Sequence, residues 1–443
     1  MKKCVKHCLY VFAVFLLLLI GSLFLLPAFL STTWGKTFLI HRIESNYKGN
    51  YQIQTLQCTW FGSQIATGIQ IHQGNTSASI KTMTLTTPLY NLLFLRKKPI
   101  DLMFLGNLEI QEAEISLQEN AKITNLSLQT NNQQKKLLIT GNAKSKSPET
   151  GTFKIQGVHF TSWNWQANLD KIPAQFFACF GQKNDYDAIL GRTFSSEISL
   201  NDLALQCSFS SPKLFVQAQG ALLEGVFKLT SSMTVHYFLD TLASQALFQH
   251  LSFKPVSSKK ITCTIYPEKA QFTYRPFSIN SLNIEKMELN LGEMMFRNFG
   301  ALSDLLSIIQ LNIRLNDNVP IWFQQAPISI HKGVALFQRT EMLIDRNYEL
   351  GFFGALDFAK KIIDGNFILT SQILKKVFLL QSIPQHYSIL MPVDGPLTQP
   401  IIHKSKALRD IARILIAEKA NLPLHPKPSK NVPPARYPLP WSQ

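Results

Sequence analysis

Leu9 to Leu30 form one uncharged run, LYVFAVFLLLLIGSLFLLPAFL, and no Asp, Glu, Lys or Arg falls between Lys6 and Lys36. Twenty-two helical residues at about 1.5 Å each cover roughly 33 Å, enough to cross a hydrocarbon core. The run is too long for the apolar part of a cleaved signal, and no A-x-A site follows it. No Cys follows the run before Cys58, which excludes a lipidated start. A retained anchor is therefore expected over 9–30. Lys2, Lys3 and Lys6 precede it, which places residues 1–8 in the cytoplasm and the bulk of the chain on the other side. Everything downstream is read as a single-pass protein held at a membrane.

The remaining roughly 410 residues exceed one ordinary compact domain. Charged residues make up 16% of the 443 and there are 31 Phe, which excludes general disorder and points to extensive apolar surface. The net charge of +16 suits an anionic headgroup layer. RNP aromatics, zinc-finger spacing and a basic helix beside heptads are all missing, so no nucleic-acid partner is expected. Four cysteines lie beyond the run, Cys58, Cys179, Cys207 and Cys263. They are widely spaced with no C-x-x-C, and both pairing and buried free thiols fit them.

From Tyr51 onward short runs alternate. Ile69 and Ile71, Met83 and Leu85, and Ile261 with Cys263 and Ile265 each skip one polar residue, and Leu214 and Val216 flank Phe215. Met287, Leu289 and Leu291 form the clearest series, and Leu350 with Phe352 continues it near the C-terminus. Period two with Ser, Thr, Asn, Gln or Glu between means strands with one apolar and one polar face. Leu108-Glu-Ile110 followed by Ala113-Glu-Ile115 changes phase, which predicts a bulge or break. Helices are expected over Ser31–Gly49, Pro173–Phe180, Phe296–Gln310 and Lys404–Ala420. In the last, Leu408, Ile411 and Leu415 fall on one stripe with Arg409 and Arg413 off it. Such a helix suits a membrane surface or the end of a sheet, and docking on its own domain is an equal alternative. Seven prolines after Asn421 predict a disordered tail over 421–443.

Catalytic patterns are not legible. Gly35-Lys36-Thr37 imitates the end of a phosphate-binding loop, but Leu30 stands where the first Gly is needed. Asp185 and Asp187 are explained by a solvated loop, and Glu109, Glu112 and Glu114 by the polar side of strands. No nucleophile–base set, metal cluster or cofactor motif is found. The chain is read as a non-enzyme with no catalytic, metal or cofactor residues.

Near the N-terminus one series runs through Pro27, the helix to Ile43, Tyr51–Ile53, Cys58–Phe61, Gly68–Ile71, Ser79–Leu85, Pro88–Leu93 and Leu108–Leu117. Near the C-terminus a second takes Pro327–Ile330, Lys332–Val334, Glu341–Leu343, Tyr348–Asp357, Ile362–Asp364 and Pro392–Pro400. In both series the chain resembles the AsmA-like family, inner-membrane-anchored proteins of Gram-negative envelopes related to TamB-type and bridge-like lipid-transfer proteins. The resemblance implies a mainly β fold: an elongated, curled antiparallel β groove after one transmembrane helix, with a few short helices and a C-terminal amphipathic helix. It divides the chain into an AsmA-like N-terminal region over 31–120, a central β groove over 121–310 and an AsmA-like C-terminal region over 311–403. The helix over 404–420 follows.

The family further implies a bacterial inner-membrane protein, mostly periplasmic, that passes phospholipid or other acyl lipid toward the outer membrane. An apolar trough would hold acyl chains at about 0.8 kcal/mol per CH₂. The alternative is a scaffold or assembly factor whose strand edges pair with outer-membrane or secreted proteins. Periodicity is compatible with an open trough and with a packed sandwich alike.

Overall fold

The computed structural model describes residues 25–74, 76–89, 107–118, 121–131, 134–145, 149–159, 163–180, 185–248, 251, 253–258, 260–274, 279–385, 387–420 and 432–434. The expected span lies outside the described residues up to residue 24, and residues 25–31 are helical. Among the described residues no helix is long and apolar enough to cross a membrane. The fold is mainly antiparallel β and divides into two compact units, Met1–Lys183 with Arg192–Asp202, and Asn184–Gly191 with Leu203–Gln443.

The first unit opens with helix α1 (Thr33–Asn46). Nine strands follow: β1 (Asn50–Gln57), β2 (Gln64–Gln73), β3 (Thr76–Leu85), β4 (Leu108–Gln118), β5 (Ala121–Asn131), β6 (Lys136–Ser145), β7 (Thr150–His159), β8 (Trp163–Pro173) and β9 (Thr193–Asn201). Each pairs antiparallel with the next, so the sheet is a meander. The expected phase change in β4 is a register shift between Ile110 and Ala113, and Glu112 there has φ +49°. Pro173–Phe180, read as two helical turns, contains a tight 3-10 segment at Ala174–Phe180.

The outer edge of β1 is covered by side chains of α1 and of Ser31 just before it. Tyr51 N donates to Glu44 Oε1 at 3.3 Å, Lys36 Nζ to Gln54 O at 2.6 Å, and Cys58 N to Ser31 Oγ at 2.9 Å. These bonds occupy main-chain groups that an open edge strand would offer to another chain.

The second unit holds α2 (Tyr186–Leu190), β10 (Ala204–Ser210), β11 (Leu214–Leu223), β12 (Val226–Leu229), β13 (Met233–Tyr237), α3 (Thr241–Phe248), β14 (Lys254–Ser258), β15 (Ile261–Ile265) and β16 (Gln271–Thr273). Then come β17 (Ile284–Asn290), β18 (Glu293–Arg297), α4 (Ala301–Ile308), β19 (Asn318–Phe323), β20 (Ala326–His331), β21 (Val334–Ile344), β22 (Tyr348–Asp357) and β23 (Ile362–Thr370). The chain ends with α5 (Ser371–Phe378), β24 (Ser388–Pro396), β25 (Ile401–Ile402) and α6 (Lys404–Lys419).

The sheet of this unit forks. β11 pairs with β13 through Leu214–Gln217 and with β12 through Gly220–Leu223. β21 pairs with β20 through Val334–Phe337 and with β19 through Met342–Ile344. At the second fork Gln324 N donates to Glu341 O at 2.9 Å, so the gap between branches is bonded. The branch β14–β18–β19 and the outer halves of β22 to β24 enclose the main core with α3 to α6. Leu302, Leu350, Leu374, Met391 and Ala407 are each fully buried there.

One helix start differs from expectation, and of the two readings of the last helix one is selected. Phe296 does not begin a helix. It lies in β18, paired with Val319 and packed on Phe323 at 5.8 Å. The helix starts only at Ala301, because Gly300 at φ +58° turns the chain and Asn298 Nδ2 ties back to Ile313 O at 2.8 Å. The C-terminal helix docks on its own domain. Its buried stripe is Ala407, Ile411 and Ile414, with Leu415 half-buried against the core, while Leu408 is 42% exposed. Glu418 Oε1 fixes the helix end by accepting from Gln381 N and Ser382 N, each at 2.9 Å.

Candidate functional site

Antiparallel register places directly opposed residues on one face of a sheet. In the first unit one such line crosses all nine strands: Leu56, Ala66, Met83, Ile110, Leu128, Ile139, Ile155, Ala167 and Ile198. Every member is apolar. At about 4.8 Å per strand the line runs for roughly 40 Å. Ala66 is buried, Ile198 is exposed, and the other seven are half-buried.

The neighbouring line on the opposite face is Thr84, Glu109, Gln129, Leu138, Gln156, Gln166 and Ser199. It is polar except for Leu138, and Gln156 Nε2 donates to Gln166 Oε1 at 2.7 Å. A cleft of about 600 Å³ lies at the β6–β9 end of these strands, lined by Lys136, Lys154 and Asn201 together with Leu138, Val158 and Trp165. One face is therefore oily across nine strands and the other is wet.

The oily face is kept continuous where a side chain is missing. Trp165 stands opposite Gly157, and its ring fills the space a Cβ at Gly157 would take, 2.4 Å away. Ile69 and Ile71 lie farther along β2, paired with Ile53 and Tyr51 on one side and Ile80 and Ala78 on the other. Leu85 lies beside Leu108 two residues beyond Met83.

The second unit has alternating strands of its own, and its apolar face is closed by degrees. Phe209, Val216, Val235, Cys263, Leu289 and Ala326 form one line, and only Ala326 is buried. Met233, Ile265, Met287, Ile328 and Phe337 form a second. Ile265, Met287 and Leu289 pack at the margin of a cluster centred on Ile284, Ile328 and Ile330, each at most 5% exposed. Leu214 pairs through Tyr237 with Ile261, and Ile261 and Leu291 already touch the main core.

Leu350, expected on an open face, is instead wholly inside that core, paired with Met342 and Leu369. The reason is the β21 fork, which folds β18 and β19 back over this half of the strand. Phe352 sits at the transition, its ring 6.2 Å from Phe337 and 5.4 Å from Phe367. Sequence periodicity carries no sign of this closure, because the alternation in β22 is the same on an open and on a covered strand.

Titratable groups on these faces are muted. Burial pushes the Cys263 thiol up to about 11 and raises Cys58 and Cys207 as well, so all three stay protonated at neutral pH. These three are free thiols, while the side chain of Cys179 lies outside the described residues. Among the described residues no cluster of His, Cys, Asp and Glu has the arrangement of a metal site. What the geometry offers is area and continuity.

No protein-family model matches the chain, and neither a curated protein nor a solved structure matches it.

Proposed function

We propose that this is a membrane-anchored protein whose apolar β face holds acyl chains, forming an elongated, curled groove that conducts phospholipid passively from the inner membrane toward the outer membrane. The supporting observation is the line from Leu56 to Ile198: nine consecutive strands each place an apolar side chain on it, and seven of the nine are half-buried. An acyl chain laid along that line gains about 0.8 kcal/mol for each CH₂ it removes from water. Movement along it exchanges one rung for the next at nearly equal energy, so no reaction step is required. The Leu9–Leu30 run supplies the tether, and the resemblance to AsmA-like proteins points the same way.

Site-specific photocrosslinking in living cells tests this reading. A benzophenone amino acid at Leu128 faces the apolar line, and one at Gln129 faces the polar side. The expected result is a phospholipid adduct at position 128 and none at 129. Protein adducts at 128 without lipid would replace the conduit by the scaffold reading.

A further inference from the structure

The apolar run is followed by a helix that wears aromatic side chains on its outside. α1 turns Gly35, Lys36, Leu39, Ile40, Ile43 and Glu44 toward its own unit, and leaves Trp34, Thr37, Phe38, His41, Arg42 and Ser45 exposed. Trp34 is 83% exposed and Phe38, one turn on, is 63% exposed. On the preceding turns Leu25 is 66% and Phe29 47% exposed. The β1–β2 hairpin reaches the same end, since Cys58 N bonds to Ser31 Oγ at 2.9 Å, and it carries Phe61 at 81% exposure. A surface helix normally buries its large apolar residues and exposes polar ones. Here the inner face is already occupied by the edge of β1, through Lys36 and Glu44, and the outer face holds the two largest rings.

We infer that the outward face of α1, with Trp34 and Phe38 at its centre, is seated in the headgroup layer of the bilayer that the Leu9–Leu30 run enters. This rests on the anchoring part of the proposed function and adds a second, lateral contact to it. Three observations select a bilayer over a protein partner. The face begins where the apolar run ends, so the membrane is covalently adjacent. It carries Arg42 and His41, with Lys48 beyond, beside the neutral Thr37 and Ser45, and the one acidic residue of the helix, Glu44, is turned inward onto Tyr51 N. Trp beside cationic side chains is the composition of an interfacial belt, where amphipathic rings sit at headgroup depth and basic groups meet lipid phosphate. The helix would then lie along the surface with β1 on its far side. The nine-strand sheet would start at the membrane rather than swing freely on a linker.

The test uses the full chain reconstituted into phosphatidylethanolamine–phosphatidylglycerol vesicles. The chain has six Trp, so Trp34 is read as the difference between wild type and Trp34→Phe. The expected result is that the Trp34 difference signal is blue-shifted, is lost when the lipids carry brominated acyl chains, and resists aqueous iodide. A Phe38→Trp substitution in the Trp34→Phe background, at a site with open space outside it, is expected to behave alike. Quenching by iodide and not by brominated lipid, in vesicles that keep the chain through alkaline carbonate washing, would overturn this inference and leave anchoring intact. Release of the chain by the carbonate wash would overturn anchoring itself.

Discussion

Arg339 and Glu341 stand two residues apart on β21 and form an ion pair, with Nε 2.5 Å from Oε1 and side-chain exposures of 12% and 1%. The pair sits at the fork, where β21 changes partner. Arg339 also donates from Nη1 to Pro433 O at 3.0 Å, so the stretch 432–434 is docked here, inside a tail read from sequence as disordered. Glu341 Oε2 has no hydrogen-bond partner among the described residues. A buried pair contributes little net stability, but removing one partner strands a charge. Arg339→Met is therefore expected to cost about 3–5 kcal/mol, and Arg339→Met with Glu341→Met to restore most of it. Urea unfolding of the three variants measures both steps, and equal losses in the single and double variants would refute the argument.

The same carboxyl gives a pH dependence with a definite sign. Burial raises the Glu341 pKa above its ordinary 4.5, nearby Glu349 raises it further, and Arg339 opposes both. Because the folded value exceeds the unfolded one, the stabilising contribution is complete below about 4.5 and is lost as pH rises through the folded value. On acidifying from pH 7 to about 5, wild type is expected to gain stability relative to Glu341→Gln, which cannot titrate. Urea midpoints of the two proteins across that range check it. A constant difference would remove Glu341 from the pH response.

Part of the first unit is legible in the sequence. The skip of phase after Ile110 becomes the β4 bulge at Glu112, because a residue inserted into a period-two pattern must leave the ladder. The α6 boundaries followed from a clean 3.6-residue stripe, although the buried members are Ala407 and Ile414 rather than Leu408. The nine-residue apolar line was not readable, since it depends on registers set between strands far apart in sequence. The forks were hidden for a related reason. β21 is one strand whose two halves serve different branches, and its register on β22 shifts between Phe337 and Thr340 at the exchange. Leu350 and Val216 therefore look alike in sequence and differ wholly in surroundings.

That difference is measurable. Leu350 is fully buried in the main core, and Leu350→Ala is expected to cost about 2–5 kcal/mol by lost transfer energy and cavity. Val216 is half-buried on the line through Val235 and Cys263, and Val216→Glu places a charge that can reach water. It is expected to lower phospholipid recovered with the chain while shifting the urea midpoint much less than Leu350→Ala. Native mass spectrometry and chemical denaturation report the two quantities separately. Equal loss of lipid and stability in Val216→Glu would mean that this face, too, is a packed core.

At the N-terminal end of the first unit the close approach of two helical segments sets the position of α1. A Cβ on Gly35 would lie 2.2 Å from Phe29 O and 2.5 Å from Leu30 Cα. Both are backbone atoms, so no rotamer change relieves the contact. Gly35→Ala must displace α1 from residues 29–30, at an expected cost of about 1–3 kcal/mol. The displacement loosens the Lys36–Gln54 and Glu44–Tyr51 bonds that cover the edge of β1. Amide exchange at Tyr51 and Cys58 is then expected to quicken by roughly tenfold or more, each 1.4 kcal/mol being a factor of ten. Exchange within β22 and β23, in the other unit, should not change. Unaltered protection at Tyr51 would show that the helix is held at β1 by something other than its fit around Gly35.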